Sequence, residues 1–147
     1  MEVVIGSDHA GFPLKEIVKK HLLSKGYKVE DKGIEKEERC DYPDYAEKVA
    51  REVVSTGKKG ILVCGSGIGI SIAANKINGV RCALCHDHYT AQMCRRHNDA
   101  NIIAFGARVI GSDIAIDMVE TFLNTPFDGA HHEARVAKIH KLEGKQE

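Results

Sequence analysis

Two spacings of apolar residues alternate along the 147-residue chain, and their alternation predicts the fold. Short runs that are almost wholly apolar occur at Val3 to Ile5, Ile61 to Cys64, Cys82 to Cys85 and Asn101 to Phe105, with a weaker one around Tyr27 to Val29. These read as strands. Between them, apolar residues recur three and four apart: Leu14, Ile17, Val18 and Leu22; Ala46, Val49, Ala50, Val53 and Val54; Ile114, Met118, Val119 and Phe122. That spacing gathers them on one face of a helix. Pro13 and Pro43 stand where helices would begin, because a first-turn residue needs no N–H, and Gly26 and Gly57 follow two of the stretches as stops. Strands without polar alternation, each followed by a helix, imply a parallel sheet covered on both faces. The expected architecture is a three-layer α/β/α Rossmann-like sandwich around a five-stranded parallel sheet, one domain over 1–147. The segment from about 130 to 142 holds Val136 and Ile139 among many charges, and is expected to form a helix that packs on a partner subunit.

Charge and composition remove several function classes. Lys and Arg number 21 against 21 Asp and Glu, so no net basic field gathers nucleic acid or an anionic membrane, and any anion must be held locally. Aromatic residues are 5% with no Trp, a poor base-stacking platform. The start, Met1-Glu2-Val3-Val4-Ile5-Gly6, lacks the basic flank and apolar length of a secretion signal. The longest uncharged stretch, 60–75, is interrupted by glycines and serines and is too short to cross a bilayer. Five cysteines, an odd number, do not suggest a disulfide framework; a reducing cytoplasm is the expected location.

Ligands of open parallel sheets bind beyond the carboxyl ends of the strands. That rule selects Ser7-Asp8-His9, Cys64-Gly65-Ser66-Gly67-Ile68-Gly69, His86-Asp87-His88 and Gly106-Ala107-Arg108. In the second of these, alternating glycines leave backbone N–H groups able to approach an oxyanion or phosphate. The loop lacks the Gly-Lys-Ser/Thr ending of a nucleoside-triphosphate loop. A dinucleotide reading has Asp87 near the expected place, but the glycine spacing differs and no residues remain for a substrate domain. Cys64 ends the strand beside a helix N-terminus, where thiols gain thiolate character and can serve as base or nucleophile. Cys82 and Cys85, three apart in a strand, face opposite sides of the sheet and cannot clasp one metal ion. Cys40 and Cys94 read as packing or surface thiols. Arg95-Arg96-His97-Asn98-Asp99 reads either as a dipole-complementing helix end or as a ligand-facing corner. In His131-His132-Glu133-Ala134-Arg135, residues 131, 132 and 135 share a helix face, either a charged surface or a phosphate grip.

Taken together, Gly6-Ser7-Asp8-His9-Ala10-Gly11-Phe12, Asp41-Tyr42-Pro43, the run from Cys64 to Lys76, His97-Asn98-Asp99 and Phe105-Gly106-Ala107-Arg108 resemble the ribose-5-phosphate isomerase type B family, with its galactose-6-phosphate and allose-6-phosphate relatives. The resemblance implies a metal-independent aldose–ketose isomerase without a cofactor, working through an enediolate. It implies a homodimer, or dimers paired into a tetramer, with active sites between subunits. By the same resemblance Cys64 is the base, Ser66 and the amides around Gly65, Gly67, Ile68 and Gly69 stabilise the negative oxygen, and His97 opens the furanose while Asp8 holds sugar hydroxyls. Asn98 and Arg108 match substrate contacts, Tyr42 lines the pocket, and His9, His131 and Arg135 match phosphate-binding positions. The chain departs from common members in carrying Ser66 for threonine and His131 for arginine; the second loses a bidentate fork. Ribose 5-phosphate is the expected substrate, a six-carbon sugar phosphate the alternative, and a non-catalytic nucleotide-binding or thiol-sensing module the reading from another class.

Overall fold

The computed structural model describes residues 1–145. Its elements, in chain order, are β1 (Glu2–Ser7), α1 (Phe12–Ser24), β2 (Lys28–Asp31), α2 (Tyr42–Thr56), β3 (Lys59–Cys64), α3 (Ile68–Ala74), β4 (Cys82–Leu84), α4 (His88–Arg96), β5 (Ile102–Gly106), α5 (Ser112–Asn124) and α6 (His131–Lys141), followed by a 3₁₀ turn at Leu142–Lys145. The five strands form one sheet in the order β2-β1-β3-β5-β4, and every neighbouring pair is parallel. The expected three-layer sandwich is therefore the observed one. The interior strands explain their own sequences: Val3, Val4, Ile5, Ile61, Leu62, Val63, Ile102, Ile103, Ala104 and Phe105 are all fully buried, because each face of the sheet meets helices.

The two faces make two cores. Val3, Ile5, Ile61, Val63, Ile103 and Phe105 pack with α1, α4 and α5; Val4, Leu62, Ile102 and Ala104 pack with α2 and α3. Cys85 belongs to the first core and Cys82 rests on the second, as the strand period requires. Pro13 and Pro43 fall in the first turns of α1 and α2, and Gly57 closes α2 in the left-handed conformation at φ 77°.

Three helical positions predicted to face the core do not. Ile17, Val54 and Ile114 are about half exposed, while Lys15 on α1 is completely buried. Lys15 reaches across to the edge strand β2, where its ammonium meets both oxygens of Asp31 at 2.9 Å and the Ile34 carbonyl at 2.6 Å. A charge enters the core there because opposite charge and acceptors are waiting for it.

Near the amino edge of the sheet, α6 stands off the body: none of its residues is buried. It is tethered by Arg81, whose Nη1 lies 2.7 Å from His140 Nε2, and by the Gly79 N–H, which donates to Glu143 at 2.8 Å. Among the described residues, no helix is long and apolar enough to cross a membrane.

Candidate active site

The winding of the chain opens a crevice before any side chain is considered. β1 and β3 are adjacent, yet α1 follows β1 onto one face while α3 follows β3 onto the other. The two loops diverge from neighbouring strand ends, at the topological switch point where such sheets bind ligands. Asp8 and Cys64 sit on its two lips, joined through the Asp8 N–H, which donates to the Val63 carbonyl at 3.3 Å.

Cys64 is 4% exposed, and the Gly67 N–H donates to its sulfur at 3.1 Å. The glycine loop therefore curls back over the thiol, placing a donor where negative charge on sulfur would sit. Gly67 achieves this at φ 81°, a left-handed conformation; a Cβ there would also stand 2.7 Å from the Phe105 backbone. Gly106 of β5 lets the same loop approach from the other side, since its Cβ would meet the Ser66 carbonyl at 2.6 Å. The neighbouring Ser66 hydroxyl accepts the Ile68 N–H at 3.2 Å. Two amides of the expected cradle are thus already engaged by side chains of the loop itself.

Around this loop the other residues predicted for the carboxyl edge assemble. The Arg108 N–H donates to the Gly65 carbonyl at 3.0 Å, and its guanidinium stands 3.2 Å from where a Gly65 Cβ would be. The Tyr42 ring lies against Gly69 so closely that no side chain fits between them. Asp8, nearly buried, accepts the Gly11 N–H on Oδ1 at 2.9 Å. His9 Nδ1 accepts the Cys40 N–H at 3.3 Å, which leaves Nε2 as the donor of a neutral ring. Ile68 is exposed at the loop's rim. His86-Asp87-His88 does not join them: Asp87 caps α4 through the Thr90 N–H at 2.8 Å, and His88 pairs with Asp117 at 3.1 Å.

His97 and Asn98 lie elsewhere. They belong to the turn that leads into β5, at the amino edge, and the four steps of β5 separate that edge from Gly106 and Cys64 by about 13 Å. There His97 stacks on His132 of α6 with ring centroids 4.5 Å apart, and His131 adjoins His132 at 4.0 Å. Arg135 follows one turn along α6. His132, which shares a helix face with 131 and 135 in the sequence, and Asp128, absent from the sequence-derived candidates, complete the cluster: His97, His132 and Asp128 hold ligand atoms within 4.8 Å of one another. The trio has the ligand types for a divalent cation, but Arg96 already holds both Asp128 oxygens at 3.2 Å, and Arg135 adds positive charge beside His132. Desolvation, then the adjoining His131, His97 and Arg135, hold the His132 imidazole below the ordinary histidine range. Such a surface favours an anion over a cation. The Asp128-Gly129 turn is the one local signal that marked Asp128 in the sequence.

One chain thus carries two separate clusters, a thiol with backbone donors at the carboxyl edge and an imidazole cluster flanked by Arg96 and Arg135 at the amino edge. Comparison with known proteins matches nearly the whole chain. Residues 3–139 fit the family described as Ribose/Galactose Isomerase. Ribose-5-phosphate isomerase B of Escherichia coli (strain K12) is 44% identical over 146 residues, covering 99% of this chain and 98% of that protein. The structure of Clostridium thermocellum ribose-5-phosphate isomerase B superposes with a TM-score of 0.97 at 49% identity, covering 99% of each chain. That of a Thermotoga maritima ribose 5-phosphate isomerase gives 0.93 at 51% identity, covering 95% of this chain and 97% of the other. The family match, the fold and near full-length coverage at 44–51% identity agree, and the chain belongs to the ribose/galactose isomerase family.

Proposed function

We propose that this protein interconverts D-ribose 5-phosphate and D-ribulose 5-phosphate, with Cys64 as the base. The observation that carries the assignment is the Cys64 sulfur at the switch-point crevice with the Gly67 amide 3.1 Å away. Isomerisation removes the C2 proton of the open-chain aldose, passes through an enediolate and returns a proton to C1. A thiolate accepts and returns that proton, while the Ser66 hydroxyl and those amides of 65–69 not bonded to Cys64 or Ser66 stabilise the developing negative oxygen, a contribution of several kcal/mol in a water-poor site. His97 transfers the proton that opens the furanose, a role suited to an imidazole near neutral pH. Asp8 holds sugar hydroxyls, Tyr42 walls the crevice, Asn98 and Arg108 contact the substrate, and His9, His131 and Arg135 hold the phosphate.

The separation of about 13 Å between Cys64 and the turn bearing His97 exceeds the span over which both can act on one pentose phosphate. The reading therefore requires a second copy of the chain, each site taking Cys64 from one protomer and His97 from its partner, with α6 packing across the boundary. The five free thiols suit a reducing cytoplasm.

The test is a panel of five- and six-carbon sugar phosphates incubated in deuterated buffer with wild type and Cys64→Ala. Ribose 5-phosphate should be turned over with deuterium entering C1 or C2, and the variant should lose a factor of about 10²–10⁴. Equal turnover by both proteins removes Cys64 as the base. Sharing is tested by remixing Cys64→Ala and His97→Ala after subunit exchange. Half of the dimers are then mixed and each holds one intact site, which restores about one quarter of wild-type activity; no recovery argues against shared sites.

A further inference from the structure

We infer that Asp99 is a positioning residue for ring opening: clamped between Arg81 and Arg95, it fixes the turn that presents His97 and Asn98. The inference rests on the proposed role of His97. Asp99 adopts φ 49°, a left-handed conformation that glycine would hold at less strain. That conformation closes α4, with the Asp99 N–H donating to Arg95 at 3.2 Å and the Ala100 N–H to Cys94 at 2.9 Å. An aspartate in a glycine's place calls for a reason, and its side chain provides one.

Its Oδ1 accepts from Arg95 Nη1 at 2.8 Å, and the same nitrogen donates to the Ala100 carbonyl at 2.7 Å. Arg95 is itself buried, its Nε bonded to the Thr125 carbonyl at 3.1 Å. From the other side Arg81 Nε donates to the Asp99 carbonyl at 2.9 Å, with Nη2 3.4 Å from Oδ2. One residue is thus held through backbone and side chain by two arginines, one from α4 and one from the segment that enters β4. The bond from Arg81 to His140 carries the clamp on to α6, which also bears His131, His132 and Arg135. Two residues upstream of the clamp, His97 is held among the described residues by its N–H bond to the Met93 carbonyl and by stacking on the His132 ring. Freed from its clamp, the turn loses the geometry a proton transfer to the ring oxygen needs.

The deciding experiment compares two substrates. Ribose 5-phosphate must open before it isomerises, whereas D-erythrose 4-phosphate, with its fourth hydroxyl esterified, cannot close a furanose and bypasses His97. Asp99→Gly removes the carboxylate while easing the left-handed backbone. Its kcat/KM for ribose 5-phosphate should fall about 100-fold and that for erythrose 4-phosphate, which depends on the turn through the Asn98 contact alone, by no more than about tenfold. Equal losses on both sugars, or none on either, overturn the inference. If the glycine variant fails to fold, Asp99→Asn, which tolerates the same backbone, carries the same comparison under the same criteria. The His97 ring resonances in ¹H–¹⁵N spectra give a readout independent of turnover: they should move in the variant while those of His88, at the far end of α4, stay put. An unmoved His97 overturns the inference; a wild-type protein that converts neither sugar instead refutes the proposed reaction.

Discussion

Replacing Lys15 by methionine keeps the side chain's length and apolar stem but removes the one charged side chain among the described residues with no exposure at all. The ammonium gives the Ile34 carbonyl a donor at 2.6 Å and Asp31 two contacts at 2.9 Å. A buried carbonyl left without a donor costs about 1–3 kcal/mol, and a lost charge-assisted bond about 1.5–3 kcal/mol. Asp31 keeps Lys19 at 3.0 Å and the Gly33 N–H at 2.8 Å, so the penalty stays below that of a wholly orphaned buried charge. Lys15→Met should therefore destabilise the fold by about 3 kcal/mol. With a slope of about 1.5 kcal/mol per molar, the urea midpoint falls by about 2 M at fixed protein concentration. Adding Asp31→Asn should recover part of this, with a coupling of about 1 kcal/mol or more. The pH dependence has a definite sign. Burial opposes ionisation of Asp31, but Lys15, the Gly33 amide and Lys19 outweigh it and hold the carboxyl below its ordinary range. Its contribution is complete above about pH 4, where the unfolded carboxylate is already charged, and disappears as pH falls through the lower folded value. The gap between wild type and Lys15→Met should narrow correspondingly in acid. A midpoint within about 0.3 M of wild type at neutral pH, or strict additivity of the two substitutions, would refute the reasoning.

Other perturbations separate scaffold from chemistry. Gly106→Ala drives a methyl group into the Ser66 backbone and should lower kcat by about 100-fold through displacement of the glycine loop; near-normal turnover would show that the loop tolerates the shift. Ser7→Ala removes a buried hydroxyl that has no partner among the described residues, and should raise stability by about 1 kcal/mol in urea titration, whereas a loss would reveal a partner for that oxygen. Asp87→Ala removes the reciprocal cap of α4 and should lower Tm by about 2–4 °C at pH 7. The Thr90 N–H and hydroxyl hold Asp87 below the ordinary carboxyl range, so this difference should be full above about pH 4 and fade as pH falls through the folded value, which melts at pH 3 and pH 7 will check.

The interior of the sheet was legible because strands enclosed on both faces leave no room for polar alternation, as Val3 to Ile5 and Ile61 to Val63 show. Edge strands were harder to read. β2 ends in Glu30 and Asp31, which a strand with one free edge can place toward solvent or toward Lys15, and β4 is only three residues long. Lys15 reads as a solvent-facing helix position in sequence because its acceptor lies sixteen residues away on another element. The site divides along the same line. Cys64, Ser66 and the glycines announce themselves because their geometry is local to one strand–loop–helix turn. The contact of Asp128 with Arg96 and the hold of Arg81 on Asp99 join segments far apart in the chain, and no spacing rule reports those.

The notch between β1 and β3 arises from the path of the backbone, so neither hydrophobic layer has to change for its occupant to change. Residues such as Tyr42, Ile68 and Arg108 project from exposed positions at its borders and can be exchanged without touching either core. Retuning toward a longer or shorter sugar thus calls for edits at the periphery alone. A scaffold built this way lets new substrate preferences accumulate while thermal tolerance stays nearly constant.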